Sequence, residues 1–147
     1  MSRPLEDVRI LDLTWVLAGP FASMILCDLG AEVIKVERPP YGDISRTTGP
    51  YQNGWSGYFF SINRGKRSVA IDLRSEEGRE LFLRLVEHAD VVMENFTPGT
   101  LDRLGIGYPV LQRAIRGSSS RASPGSGRAD RTASGRRWTS WCRRWVA

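Results

Sequence analysis

Residues 8–37 read VRILDLTWVLAGPFASMILCDLGAEVIKVE, and they decide the fold. Val8 to Leu13 is short, apolar and β-prone, and a loop signal follows it, so it reads as a buried strand. Ala18-Gly19-Pro20 is a turn whose proline suits the first position of a helix. Phe21, Met24, Ile25 and Leu29 then recur at three- and four-residue spacing, which predicts a helix over 21–29 with that face on the core. Gly30 is a natural C-terminal cap, and Glu32 to Glu37 is a second strand that Pro39-Pro40 stops. Strand, helix and strand within ~30 residues make a βαβ unit, so the two strands are expected to be parallel, with a right-handed crossover.

Outward from this unit the pattern repeats. Tyr41 to Arg64, rich in Gly, Asn, Ser, Thr and aromatics, reads as a long, partly structured loop. Ser68 to Leu73 is a third strand. Ser75 is expected to cap a helix with acids in its first turn, an apolar face of Leu81, Leu85 and Val86, and an end near His88. Asp90 to Glu94 is a fourth strand, Asn95 to Gly99 the loop after it, and Pro98 to Leu104 a short helix. This alternation predicts an α/β layered fold with a mostly parallel sheet.

Charge divides the chain in two. The 147 residues carry a formal net charge of +5, which raises a nucleic-acid reading. Its distribution argues against one. Residues 1–112 hold 12 basic and 15 acidic side chains, a net of −3, whereas 113–147 hold nine arginines and Asp130, a net of +8. The latter stretch also has seven serines and three of the five tryptophans and shows no period of 2 or 3.6, so it is expected to be disordered. A domain over 1–112 and a basic tail over 113–147 follow. No run of 18 apolar residues offers a membrane span, and the N-terminus has no apolar signal core, which points to the cytoplasm. Cys27 and Cys142 make no metal motif, and Cys27 reads as a small core residue.

Ligands of parallel α/β sheets bind outside the carboxyl ends of the strands. Three loops leave such ends: Thr14 to Pro20, Arg38 to Asp43 and Asn95 to Gly99. Arg38 offers a guanidinium fork to phosphate. Gly19 and its turn are expected to present backbone N–H groups at a positive helix end. Trp15 and Phe96 offer flat faces to a base, and Arg103, one helical turn beyond the third loop, is in reach of a second phosphate. Plainer roles compete: Arg38 as a salt-bridged strand-end charge, Trp15 and Phe96 as loop anchors, Asn95 as a helix cap. Asp12 and Asp72 read as solvent-facing or hydrogen-bonded structural groups. Arg64, Lys66 and Arg67 read as a solvated turn, and His88 as a cation suited to a helix C-terminus. No GxGxxG, P-loop, nucleophile-elbow or zinc motif is present.

Several strings act together: Val8 to Leu13 with Leu17 to Ala22, Leu26 to Pro39 with Gly42-Asp43, and Asn63 to Ser68 with Asp72-Leu73. Asp90-Val91, Glu94-Asn95-Phe96, Pro98-Gly99 and Leu104-Gly105 complete the set. In combination they resemble the family III CoA-transferases, the CaiB/BaiF group, which includes α-methylacyl-CoA racemases. The resemblance covers residues 5–112. It implies a Rossmann-like large domain, a smaller domain, and two chains interlocked as linked rings. It implies transfer of CoA between carboxylic acids, with acyl-CoA as substrate and no tightly bound cofactor. In such a reaction a carboxylate side chain attacks the acyl-CoA, and a mixed anhydride and an aspartyl- or glutamyl-CoA thioester follow. Positions matching the family's CoA contacts are Val16, Arg38, Ile71, Asn95, Phe96 and Arg103. Arg38 and Arg103 are expected on CoA phosphates, the others along the adenine and pantetheine path. Leu17 stands where the formyl-CoA transferase branch has glutamine, which argues against an oxalate or formyl substrate. The family's catalytic aspartate lies further along than residue 147, so the chain is expected to be an inactive N-terminal part. A racemase parent, a CoA-binding module without catalysis, and nucleic-acid binding through the tail are the alternatives.

The tail also resembles a shifted reading frame. Tryptophan has one codon, so a frame offset forces aspartate across Trp138-Thr139, valine across Trp141-Cys142 and glycine across Trp145-Val146. Those three fall where the family carries them after the region that ends near residue 112. Residues from about 113 onward are therefore expected to have no evolved role.

Overall fold

The structure, a computed structural model, describes residues 2–118, with side-chain surroundings for residues 2–115. The chain runs β1 (Arg9–Asp12), α1 (Ala18–Asp28), β2 (Glu32–Glu37), a 3₁₀ turn (Ile44–Thr47), and a hairpin of β3 (Tyr51–Gln52) and β4 (Trp55–Ser56). It continues through α2 (Gly57–Asn63), β5 (Arg67–Ala70), α3 (Glu76–Val86), β6 (Val91–Met93), α4 (Thr100–Arg103) and α5 (Tyr108–Ser118). The strands β5, β2, β1 and β6 form one sheet in that order, and every pairing is parallel. The α/β class and parallel sheet expected from residues 8–37 are what forms.

Alternation along β1 supplies the two cores. Leu11 and Leu13 point to one face, with Val36, Ile71, Phe82, Val86, Val92, Ile106 and Leu111. Ile10 points to the other, with Ala31, Val33 and Met93, where Ala22, Leu26 and Cys27 of α1 pack. Cys27 is thus half-buried beside this core, as a small apolar group would be.

Helix α1 is rotated from its expected setting. Phe21, Ile25 and Leu29 are 49%, 43% and 42% exposed, and the buried residues are Gly19, Pro20, Ser23 and Met24. The reason is beneath the helix. Asp12 is buried there and accepts a hydrogen bond from Ser23 Oγ. A Cβ on Gly19 would lie 2.3 Å from the Thr14 side chain. Only a face of small residues approaches that closely, so Phe21, Ile25 and Leu29 turn outward while Met24 of the expected face stays buried. Gly19 is accordingly a packing residue and not an exposed anion-binding turn. Gly30, at φ 111°, ends the helix as expected.

Three further differences concern local signals. The segment read as a loop over 41–64 contains a hairpin and a helix. Asn53 and Gly54, both at positive φ, close a two-residue turn between β3 and β4. Ser56 Oγ then caps α2 by accepting from the Phe59 N–H. On α3, Ser75 does cap by accepting from Gly78 N–H, and Leu85 and Val86 pack on the core as expected, but Phe82 is buried beside them while Leu81 is exposed. Helix α5 crosses the compositional border near 112, and its Ala114 and Ile115 pack on the core. The expectations for the rest of the basic tail lie outside the described residues.

Gly78 offers a sharp check. Alanine at a helical glycine ordinarily stabilises by about 1 kcal/mol. Here a Cβ would meet the Asp72 carbonyl oxygen at 2.0 Å. Gly78→Ala is therefore expected to destabilise by roughly 1–3 kcal/mol, read from urea unfolding; a gain in stability would refute this close approach.

Candidate functional site

The carboxyl ends of the parallel strands open into a cleft of about 750 Å³, within the size range of small-molecule sites. All three expected loops reach it, through Thr14 and Trp15, through Arg38 to Asp43, and through Asn95 to Thr97. A fourth reaches it as well. The segment Ile71 to Arg74, which follows β5, forms part of the wall. Arg38 and Arg74 both line the cleft, and neither guanidinium has a partner among the described residues. Trp15 stands edge-on to Phe96, with ring centroids 6.0 Å apart. The cleft thus combines an aromatic wall, apolar floor residues such as Ile71, and two unpaired cations.

Beneath it lies a set of buried charges. Lys35 and Asp43 are 2% and 1% exposed and meet at 2.8 Å. Lys35 Nζ also donates to the Thr14 carbonyl at 2.7 Å. Glu37 accepts two bonds from Arg46, each 2.7 Å, one from Ser68 Oγ at 2.6 Å and one from the Asp43 N–H at 2.9 Å. Arg46 in turn lies 3.7 Å over the Phe59 ring, which ties α2 to the end of β2. On the α1 side Lys66 Nζ meets Asp12 at 3.0 Å, its side chain 1% exposed. Lys66 therefore leaves the solvated turn expected of it, and Asp12 is a hydrogen-bonded structural group. Burial pushes the Lys66 ammonium below its usual range, against the pull of Asp12. Burial raises the Glu37 and Asp43 carboxyls. Hydrogen bonds from Arg46, Ser68 and the Asp43 N–H outweigh it at Glu37, and those from Lys35 and nearby backbone N–H groups outweigh it at Asp43. Glu37 falls to about 2.

The chain matches the model of CoA-transferase family III over residues 5–116. It belongs to that family. A succinyl-CoA:mesaconate CoA-transferase of Haloarcula hispanica is 52% identical over 113 residues, which are 74% of this chain and 28% of that protein. The mouse succinyl-CoA:glutarate CoA-transferase is 54% identical over 112 residues, 76% of this chain and 26% of that one. A CaiB/BaiF family protein from Brucella suis has a crystal structure that superposes with a TM-score of 0.72 at 49% identity, covering 78% of this chain and 31% of that one. The chain thus spans under a third of the length of these family members.

Of the six positions carried over from family III, four line the cleft: Arg38, Ile71, Asn95 and Phe96. Val16 and Arg103 do not. Val16 sits at φ 72°, a setting that costs a β-branched residue about 1–3 kcal/mol, and its N–H donates to Asp43 Oδ1 at 3.2 Å. Arg103 Nη2 donates to Thr100 Oγ1, and Thr100 is itself a lining residue. Asn95 caps no helix; Gly99 precedes α4, and the Asn95 amide bonds Trp15. Arg74 was missed although it directly follows Ser68 to Leu73, the third strand as the sequence reads, the same signal that singled out Arg38. Lys35, Glu37 and Asp43 were missed because their charge suggests solvent. The usable signal was a strand of a parallel sheet, Glu32 to Glu37, that carries charges at Lys35 and Glu37 among apolar residues; strands of such sheets are covered on both faces, so such charges need partners.

Glu37 sets an acid limit. Its folded value of about 2 lies below the ordinary 4.5, so its contribution is complete above pH 4.5 and is lost as pH falls toward 2. The difference amounts to about 3 kcal/mol. The gap in unfolding free energy between the wild type and Glu37→Gln is expected to shrink across that interval. A gap constant from pH 6 to 2.5 would remove Glu37 as a source of acid sensitivity.

Proposed function

We propose that residues 1–112 supply the CoA-binding side of an enzyme that transfers CoA between carboxylic acids. The carrying observation is the cleft: an aromatic pair, an apolar floor and two guanidinium groups without partners among the described residues meet at the carboxyl ends of parallel strands. This suits a ligand with a flat base, an apolar arm and phosphates. Arg38 takes a phosphate and the Trp15–Phe96 wall packs the base or the arm; Ile71 and Asn95 border the same path. Val16 and Arg103 act from the rim, Arg103 through the Thr100 end of the cleft. CoA enters as substrate, and an acyl donor and a carboxylic acid acceptor complete the reaction.

Transfer needs a carboxylate nucleophile, and the cleft's two buried carboxylates among the described residues are committed elsewhere. Glu37 is held by Arg46, Asp43 by Lys35, and an Asp72 oxygen accepts from the Arg74 N–H. We therefore assign residues 1–147 binding without transfer. Phe21, Ile25 and Leu29, exposed along one side of α1, support a second chain covering that face, as in an interlocked homodimer. No described helix is long and apolar enough to cross a membrane, and a CoA thioester substrate supports a cytoplasmic place.

Calorimetric titration of CoA into the 147-residue chain tests this reading. Saturable binding is expected, weakened tenfold or more in Arg38→Ala, the loss of a charge-assisted phosphate contact. Binding unchanged by the substitution would place the phosphate elsewhere, and a folded chain without binding would end the proposal. Thioester exchange by the same 147-residue chain would refute the assignment of binding without transfer.

A further inference from the structure

Between β1 and α1, four of the backbone polar groups from Thr14 to Val16 each meet a side chain from a different strand or loop. Lys35 Nζ donates to the Thr14 carbonyl at 2.7 Å. Asn95 takes both groups of Trp15: its Nδ2 donates to the Trp15 carbonyl at 2.9 Å, and its Oδ1 accepts the Trp15 N–H at 3.0 Å. Asp43 Oδ1 accepts the Val16 N–H at 3.2 Å. These side chains come from β2, from the loop after β2 and from the loop after β6. Val16 leaves this turn at φ 72°. A β-branched residue does not hold that backbone unaided; it persists where the surroundings over-determine it.

We infer that Asn95, Asp43 and Lys35 are positioning residues of the CoA cleft, which hold the Thr14–Val16 turn in its left-handed setting and so fix the Trp15 wall. The inference rests on CoA occupying the cleft as proposed above. It moves Asn95 from ligand contact to a residue acting through Trp15, because the hydrogen bonds its amide makes go to the Trp15 backbone. It also gives the buried Lys35–Asp43 pair a role beyond packing. Lys35 neutralises Asp43, and the other carboxylate oxygen is left to grip Val16 and the Ser45 N–H. The turn is thus gripped from three sides before any ligand arrives, and such preorganisation lowers the ordering cost of binding.

Amide hydrogen exchange on the 147-residue chain reads the turn without ligand. Trp15 and Val16 are 47% and 46% exposed, yet their amides are expected to exchange at least tenfold more slowly than in an unfolded chain. Asn95→Ala should abolish the protection of the Trp15 amide, whose acceptor it removes. Unprotected Trp15 and Val16 amides in the wild type would overturn the inference, whatever binds. CoA titration then reads the consequence. Asn95→Ala is expected to weaken binding at least tenfold, and adding Val16→Gly should restore most of it, because glycine adopts the left-handed backbone freely. If Asn95 acts by touching CoA, glycine restores nothing and the positioning role is wrong. Protected amides in a wild-type chain that fails to bind CoA would strike down the ligand reading and leave the turn standing.

Discussion

Lys35 sits under the cleft, 2% exposed, between the Asp43 carboxylate and the Thr14 carbonyl. Much of the upper half of the molecule depends on that placement. A buried ammonium without partners would be costly by several kcal/mol, so the loop after β2 must bring Asp43 back across the strand end, and the turn after β1 must present its carbonyl. The pair adds little net stability by itself. Its effect is geometric, because it joins two loops that are far apart in sequence and makes them one rigid rim.

The other buried charges extend the same logic. Glu37, two residues along β2, collects Arg46, Ser68 and the Asp43 N–H. It thereby connects the 3₁₀ turn to β5, and Arg46 carries the link on to Phe59 of α2. Asp12 and Lys66 do the equivalent on the opposite face, joining β1, α1 and the segment before β5. The excursion from Tyr41 to Arg64 is consequently an ordered arm, held to the sheet by ionic contacts at its base. Its tip is apolar and outward, with Tyr51, Trp55 and Phe60 all more than half exposed.

A fold built this way separates two tasks. Apolar alternation closes the sheet and its two cores. Lys35, Glu37 and Asp43, buried at the strand ends, shape the cleft, and Arg38 and Arg74 line it without a side-chain partner among the described residues. The division explains why the cleft can hold unpaired cations. The buried carboxylates Glu37 and Asp43 are already paired below it with Arg46 and Lys35 and do not compete for them.

The sequence by itself determined the parallel α/β class, the order of its main strands and helices, the Ser75 cap, the Gly30 stop and the meeting of three loops at one sheet edge. These follow from local periodicity and turn chemistry, which act over a few residues. The family was also legible, in the combined spacing of short strings between residues 5 and 112. The hairpin turn at Asn53-Gly54 was legible in principle but lay within a composition that resembles a loop. What only the tertiary structure decided is the use of each face. Periodicity locates an apolar stripe on α1 but cannot know that Asp12 and Thr14 lie beneath it, where only Gly19 and Ser23 fit. Periodicity likewise places Leu81 on a face that Phe82 and Val86 in fact dominate. Charge at Lys35, Glu37 and Lys66 reads as solvent-facing until partners from remote loops are seen to enclose it. Burial and ion pairing are properties of distant contacts, and no local window of sequence contains them.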